Sequence, residues 1–525
     1  PKTPGLAVAV VQDGKVIFKK GYGVANLDSK SLITPQTVFN IGSVSKQFTV
    51  FMTLLLEREG KLSIDDDVRK YLPELHSFDK TITLRNLIVH TSGLKDAQLL
   101  SSMAGWRQGD VYTHEQLLRL VFRQKELDFA PGDQFKYSNT GTLLLSEIIA
   151  RVSGKPFAEF ARERVFEPLG MKSTFIMTDY EKLVENFAYS YYKPNDQYRF
   201  AGNPNSVQGF SNVYSTVEDM CLWAMNFSDP IVGDKEIIKK MDTKTVLNSG
   251  EIIRFAMGQN YTPYKGLVQI EHTGSHRAYL AYLGRFPEQK TSIVLLSNNE
   301  QLKPDLFGKS YEVADVFLSS NYKEPEKIEA SKKADPKLIK LTSAQLEKYT
   351  GLYWFEQDQY SRKIYVKDGK LMYFRGENNE SELGAISATE FKMLNVDDDL
   401  RINFAQDERK NKTMSVTVNG DSPAIAEFFE PANYTAKTLI EFTGKYYSEE
   451  LDATYVVRLE DQKLIARHFR LEDAELSAIK ADHFNSNQWY FARVRFVRDA
   501  KNQIIGLRAS NPRADNVWFA KVDFN

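Results

Sequence analysis

Three short groups of residues carry side chains suited to acyl transfer. The first is Phe39-Asn40-Ile41-Gly42-Ser43-Val44-Ser45-Lys46, in which a serine precedes a lysine by three positions. On a helix such a pair shares one face, so the Lys46 amine leans back over the first turn towards the Ser43 hydroxyl. That is the geometry of a serine nucleophile with a lysine base, and free N–H groups of the first helical turn can face a developing oxyanion. The second group is Tyr137-Ser138-Asn139. The third is His272-Thr273-Gly274-Ser275, expected at the end of a strand over Leu267–Glu271 and just before another that begins at Tyr279. A backbone edge there can hold a peptide-like substrate as an added strand.

Spacing alone is weak support. Ser-x-x-Lys also occurs at Ser77/Lys80, Ser92/Lys95, Ser190/Lys193, Ser320/Lys323 and Ser477/Lys480, and a chain with 26 tyrosines produces Tyr-x-Asn by accident. Ser43 differs in context. It follows Gly42 at the end of a short apolar strand and opens a helix marked by Val44, Phe48, Phe51, Met52, Leu54, Leu55 and Leu56, which stops at Glu57-Arg58-Glu59-Gly60. The competing reading is a serine N-cap followed by a surface lysine. His272 likewise reads either as a site residue or as a hydrogen-bonded histidine at a sheet edge, and His90 and His276 as turn and loop residues.

The composition narrows the function classes. With 525 residues the chain exceeds one core and implies several domains, and 42% apolar residues suffice to pack them. Sixty-eight basic and 69 acidic residues leave a net charge of -1, which gives no basic excess for nucleic acid or anionic lipid. The expected partner is a small peptide or ester. One cysteine, Cys221, permits no internal disulfide and no cysteine metal cluster. No apolar run has the roughly 18 residues of a membrane span. The start at Pro1, close to the first strand, is read as a processed N-terminus, with a periplasmic or secreted bacterial location expected and a cytoplasmic one left open.

The elements that position these groups are a hairpin over Gly5–Gln12 and Val16–Tyr22, a largely helical middle, and strands over Tyr279–Phe286 and Thr291–Ser297 before a closing helix, 305–318. The expected boundaries are residues 1–322 for this region, a linker at 323–340 rich in Lys, Glu and Ala, and two strand-rich units at 341–432 and 433–525. Those units repeat each other. Leu346-x-x-Tyr349-Thr350-Gly351-x-Tyr353 recurs 93 positions later as Leu439-x-x-Phe442-Thr443-Gly444-x-Tyr446, and Lys370-Leu371 and Phe391 recur in the same register. Two similar antiparallel barrels of about eight strands are predicted.

Taken together, Ser43-x-x-Lys46, Tyr137-x-Asn139 and His272-Thr273-Gly274 resemble the three motifs of the penicillin-recognising serine hydrolases, in order. Leu87–Leu94 and Phe166–Met171 are similar to the same family, which includes class C β-lactamases, D-alanyl-D-alanine carboxypeptidases, esterases and D-aminopeptidases. The resemblance implies an α+β catalytic domain of β-lactamase/transpeptidase type, with an antiparallel sheet flanked by helices, and no metal or organic cofactor. It implies Ser43 as the acylated nucleophile, Lys46 and Tyr137 as the proton-transfer pair, and Asn139 as a hydrogen-bonding group for substrate and lysine. The N–H groups of Ser43 and Ser275 would form the oxyanion hole, with Thr273 and Gly274 lining the substrate edge. Lys46 and Tyr137 both start at a pKa of about 10, and lowering either by about 3 units means roughly 4 kcal/mol of differential interaction. The sequence does not choose between them.

His272 departs from the lysine common at that position. A mostly neutral histidine grips a carboxylate poorly, so strong β-lactamase activity is not expected. Histidine there and the paired barrels look like the D-aminopeptidase branch, in which a loop of the last barrel approaches the site. Arg277 is either a replacement carboxylate binder or a surface arginine. A broad esterase or weak DD-carboxypeptidase is the rival enzyme reading, and a penicillin-binding-type sensor without turnover is the rival outside enzymes. The chain contains no Gly-x-Ser-x-Gly, His-Glu-x-x-His or Gly-x-x-x-x-Gly-Lys motif.

Overall fold

The computed structural model describes residues 2–323, 336–356, 360–376, 379–396, 398–420 and 422–523. Residues 324–335, most of the expected linker, lie outside the described residues. The strands Leu6–Gln12 and Lys15–Tyr22 form the expected hairpin, turning through Asp13 and Gly14, both at positive φ. They join strands from the far end of the region in a six-stranded sheet. Its order is Lys15–Tyr22, Leu6–Gln12, Thr291–Ser297, Tyr279–Phe286, Ile270–His276 and Asn260–Tyr261. All its pairings are antiparallel, and Leu6 lies opposite Ser297.

Alternation places the two faces of the sheet in separate cores. Val8, Val10, Leu280, Tyr282, Ile293 and Leu295 pack with Leu306, Ala314 and Leu318 of the closing helix Leu306–Leu318. Ala7, Ala9, Val11, Ala281, Leu283, Val294 and Leu296 face the larger core of the helical middle. In that layer the helix Ser45–Arg58 packs against Asn139–Ser153. Thr83 and Thr113 each cap a helix through a reciprocal capping box, at Leu84–Ile88 and His114–Phe122.

One strand is displaced from its expected bounds. The sequence places a strand at Leu267–Glu271; the structure runs it over Ile270–His276. The polar third motif therefore sits inside a strand, because its backbone pairs with the wholly buried run Tyr279–Phe286 from His276 opposite Tyr279 to Ile270 opposite Arg285. Pairing partners outweigh the weak strand preference of Gly, Ser and His.

Two closed eight-stranded barrels follow, within Gly351–Phe429 and Gly444–Val522. The 93-residue repeat has a physical content. Tyr353 Oη donates to the Tyr349 carbonyl, and Tyr446 Oη to the Phe442 carbonyl, each at 2.8 Å. Leu371 and Leu464 fill the two interiors, as do Phe391 and Phe484, and Lys370–Glu382 and Lys463–Glu475 close the same ion pair at 2.7 Å. The first barrel keeps a core of its own, whereas the core of the second is continuous with the helical layer of the first region.

That second barrel clamps the segment carrying the Tyr137 motif. Tyr455 Oη donates to the Met103 carbonyl at 2.9 Å, and Lys136 Nζ bridges Asp128 at 2.6 Å and Asp515 at 2.5 Å. Arg508 pairs with Glu126 at 2.6 Å and Arg470 with Asp110 at 2.5 Å.

Candidate active site

The short strand Phe39–Asn40 pairs with Val213–Ser215 and ends in a turn at Gly42, whose φ is +52°. Ser43 lies in a single 3-10 turn, Gly42–Val44, that feeds the helix Ser45–Arg58. Glycine is required at position 42 for two reasons. The left-handed conformation disfavours a side chain, and a Cβ there would sit 2.6 Å from the backbone nitrogen of Ser275. Gly274 is crowded in turn, since its Cβ would lie 2.1 Å from the Ile41 carbonyl oxygen. The third-motif strand thus runs directly against the nucleophile turn, which brings the backbone of Ser275 beside that of Ser43.

Lys46 is fully buried, and its Nζ lies 3.1 Å from Ser43 Oγ and donates to the Phe210 carbonyl at 3.2 Å. Burial holds the amine well below its ordinary value of 10.5; the Arg513 cation pushes it further down and Asp96 opposes. The Tyr137 side chain shares the cavity with Ser43, whose hydroxyl opposes the rise of the phenol, and its ring lies 4.9 Å from Lys46 Nζ. Burial raises this phenol above its ordinary value, so Tyr137 keeps its proton and the amine is the group able to accept one. The site thus sets an amine with a lowered proton affinity beside a phenol with a raised one.

The three motif-neighbouring histidines are neutral. Burial pushes His272 down to about 4 and His276 to about 3, and holds His90 well below the usual histidine range. His272 Nδ1 lies 2.5 Å from the Thr273 carbonyl, its Nε2 has no partner among the described residues, and its ring stands 6.2 Å from that of Tyr137. The His90 ring lies 4.5 Å from that of Tyr137 with the planes tilted by 44°, and its Nδ1 accepts from the Ser138 N–H at 3.4 Å, which orients the second motif. Along the third-motif strand, Asn260–Tyr261 reaches only Ile270 and Glu271, so His272–His276 forms an edge with no further strand partner among the described residues.

Asn139 opens the helix Asn139–Ser153; its Nδ2 donates to Gln98 Oε1 at 3.0 Å, and its N–H to Asp96 Oδ2 at 2.8 Å. A cavity of about 450 Å³ gathers Ser43, Tyr137, Asn139, His272, Thr273 and Ser275 with Gln98, Phe210, Lys303 and Arg513. Arg277 faces elsewhere. It lines an adjoining cleft of about 670 Å³, where its Nε donates to the Gly202 carbonyl at 2.7 Å.

Sequence reasoning missed Arg513, Gln98, Asp96 and the Phe210 carbonyl. Arg513 comes from the hairpin turn between strands Ile504–Asn511 and Ala514–Val522 of the second barrel, and nothing in Asn511-Pro512-Arg513 distinguishes it from any exposed turn. Among the described residues, no cluster of three or more His, Cys, Asp or Glu side chains is arranged to hold a metal ion, and no helix is long and apolar enough to cross a membrane.

The chain is similar to several known proteins. A D-aminopeptidase of Brucella anthropi is 29% identical over 318 residues, 60% of this chain and 59% of that protein, so the chain spans about three fifths of that relative's length. Penicillin-binding protein 4* of Bacillus subtilis is 25% identical over 431 residues, 77% of this chain and 91% of that protein. The octameric penicillin-binding protein homologue from Pyrococcus abyssi shares the fold, with a TM-score of 0.54 at 24% identity over 81% of this chain and 96% of that one. The family model described as Beta-lactamase matches residues 1–317, and the chain belongs to that family.

Proposed function

We propose that the protein is a serine hydrolase that cleaves amide or ester bonds of small peptides, of D-aminopeptidase type, through an acyl-enzyme on Ser43. The observation that carries this reading is the 3.1 Å approach of a fully buried, pKa-depressed Lys46 amine to the Ser43 hydroxyl. In the proposed reaction the neutral amine accepts the Ser43 proton as Oγ attacks the carbonyl carbon. The backbone N–H groups of Ser43 and Ser275 would receive the oxyanion. Collapse breaks the scissile bond, and Tyr137 relays the proton to the leaving amine or alcohol. Water then hydrolyses the acyl ester by the same route in reverse. The preference for D-residues rests on the likeness to the D-aminopeptidase of Brucella anthropi.

A broad esterase or weak DD-carboxypeptidase is the second reading, favoured by the absence of any Asp or Glu among the residues lining the Ser43 cavity. A substrate ammonium finds no carboxylate there. Turnover of D-alanine p-nitroanilide, its L-isomer and p-nitrophenyl acetate separates the two. The first reading predicts that the D-anilide is cleaved with the highest kcat/KM. Equal cleavage of both isomers, or cleavage of the acetate alone, selects the second.

A further inference from the structure

We infer that Arg513, delivered from the second barrel, binds a substrate carboxylate beside Ser43, so that the enzyme favours peptides carrying a free carboxylate near the scissile bond. The inference rests on the hydrolase reading above and deepens it. Arg513 and Lys303 are the charged residues lining the Ser43 cavity, and both are basic. The neutral histidines leave two cations at the cavity, Arg513 and Lys303, and Lys303 is exposed in the 3-10 helix Glu300–Asp305.

The guanidinium is held for this task. Its Nη1 lies 3.3 Å from Asp96 Oδ2, and its carbon stands 5.6 Å from the ring centre of Tyr137, which lines the same cavity as Ser43. Asp96 is already occupied: Oδ1 accepts the N–H groups of Gln98 and Leu99 at 3.0 Å each, and Oδ2 accepts that of Asn139 at 2.8 Å. One edge of the planar fork is therefore fixed, and the remaining N–H donors have no other side-chain partner among the described residues. Such a preset fork matches a carboxylate. The backbone holds the turn in place, since the Asp96 N–H donates to the Arg513 carbonyl at 3.0 Å and Asn511 Nδ2 to the Leu99 carbonyl at 3.2 Å. The second barrel thus supplies a specificity residue that the first region lacks.

The test uses the full chain, with p-nitrophenyl acetate turnover as the reporter and N-acetyl-D-alanine against N-acetyl-D-alaninamide as competitors. The acid should inhibit wild type at least about tenfold more strongly than the amide, Arg513→Gln should reduce that ratio to about twofold or less, and Arg513→Lys should keep part of it. A ratio near one in wild type, no competition by the acid, or a ratio that survives Arg513→Gln overturns the inference. Labelling of Ser43 by a fluorophosphonate is followed in parallel. Labelling without a carboxylate preference defeats only the inference, whereas absence of labelling in wild type defeats the hydrolase reading itself. If Arg513→Gln fails to fold, Arg513→Lys and Lys303→Gln decide: the ratio should fall in the first and survive in the second, and the reverse pattern overturns the inference.

Discussion

Replacing Lys46 by methionine separates what this amine does for catalysis from what it costs the fold. Lys46 is fully buried and held well below its ordinary value of 10.5, chiefly by desolvation. Between that depressed native value and 10.5 the unfolded chain carries one more proton at this site than the native chain, so native stability rises with pH through the window. The slope for one proton is about 1.4 kcal/mol per pH unit. Methionine fills a similar volume and does not titrate. The difference in unfolding free energy, wild type minus Lys46→Met, should therefore grow as pH rises through that window, at a slope of up to about 1.4 kcal/mol per pH unit. The lost hydrogen bond to the Phe210 carbonyl shifts that difference by about 1 kcal/mol without tilting it. Denaturant titrations at several pH values, followed by tryptophan fluorescence, give the slope. Turnover of p-nitrophenyl acetate should meanwhile fall by about 10²–10⁴. A flat difference across this pH range, or a variant that keeps its turnover, refutes the claim that a desolvated Lys46 is the base.

The remaining predictions concern the groups around that amine. Because the Arg513 cation lowers Lys46 and Asp96 raises it, Arg513→Gln should move the rising limb of the pH–kcat/KM profile to higher pH; an unmoved limb contradicts the coupling. Tyr137→Phe removes the hydroxyl proposed to relay the proton and should lower kcat by about 10² or more while the melting temperature moves little. Gly42→Ala places a methyl 2.6 Å from the Ser275 nitrogen at φ +52°, so it should destabilise by more than about 1 kcal/mol and abolish Ser43 labelling, read by calorimetry and mass spectrometry.

Much of this site was legible because local signals agreed. The apolar spacing from Val44 to Leu56 marked the helix, and Gly42 before it marked the turn that lifts Ser43 out. The repeat was legible because Tyr353 and Tyr446 each bond back four residues to close a barrel mouth, which ties Tyr and Gly to fixed positions. Other features depend on contacts that the sequence does not announce. The third motif reads as the end of a strand, since only pairing with Tyr279–Phe286 makes His272-Thr273-Gly274-Ser275 extended. Burial shifts Lys46 and Tyr137 in opposite directions, and spacing says nothing of burial. Arg513 reaches the site across a domain boundary, on a turn whose residues look like any solvated hairpin.

The central claim is that Ser43 becomes acylated because the Lys46 amine removes its proton. Intact-mass analysis after a fluorophosphonate probe, followed by peptide mapping, tests it most directly. The account predicts one adduct per chain, located on Ser43 in wild type, absent in Ser43→Ala and formed far more slowly in Lys46→Met. An adduct on another residue, or equal labelling rates in wild type and Lys46→Met, would contradict it.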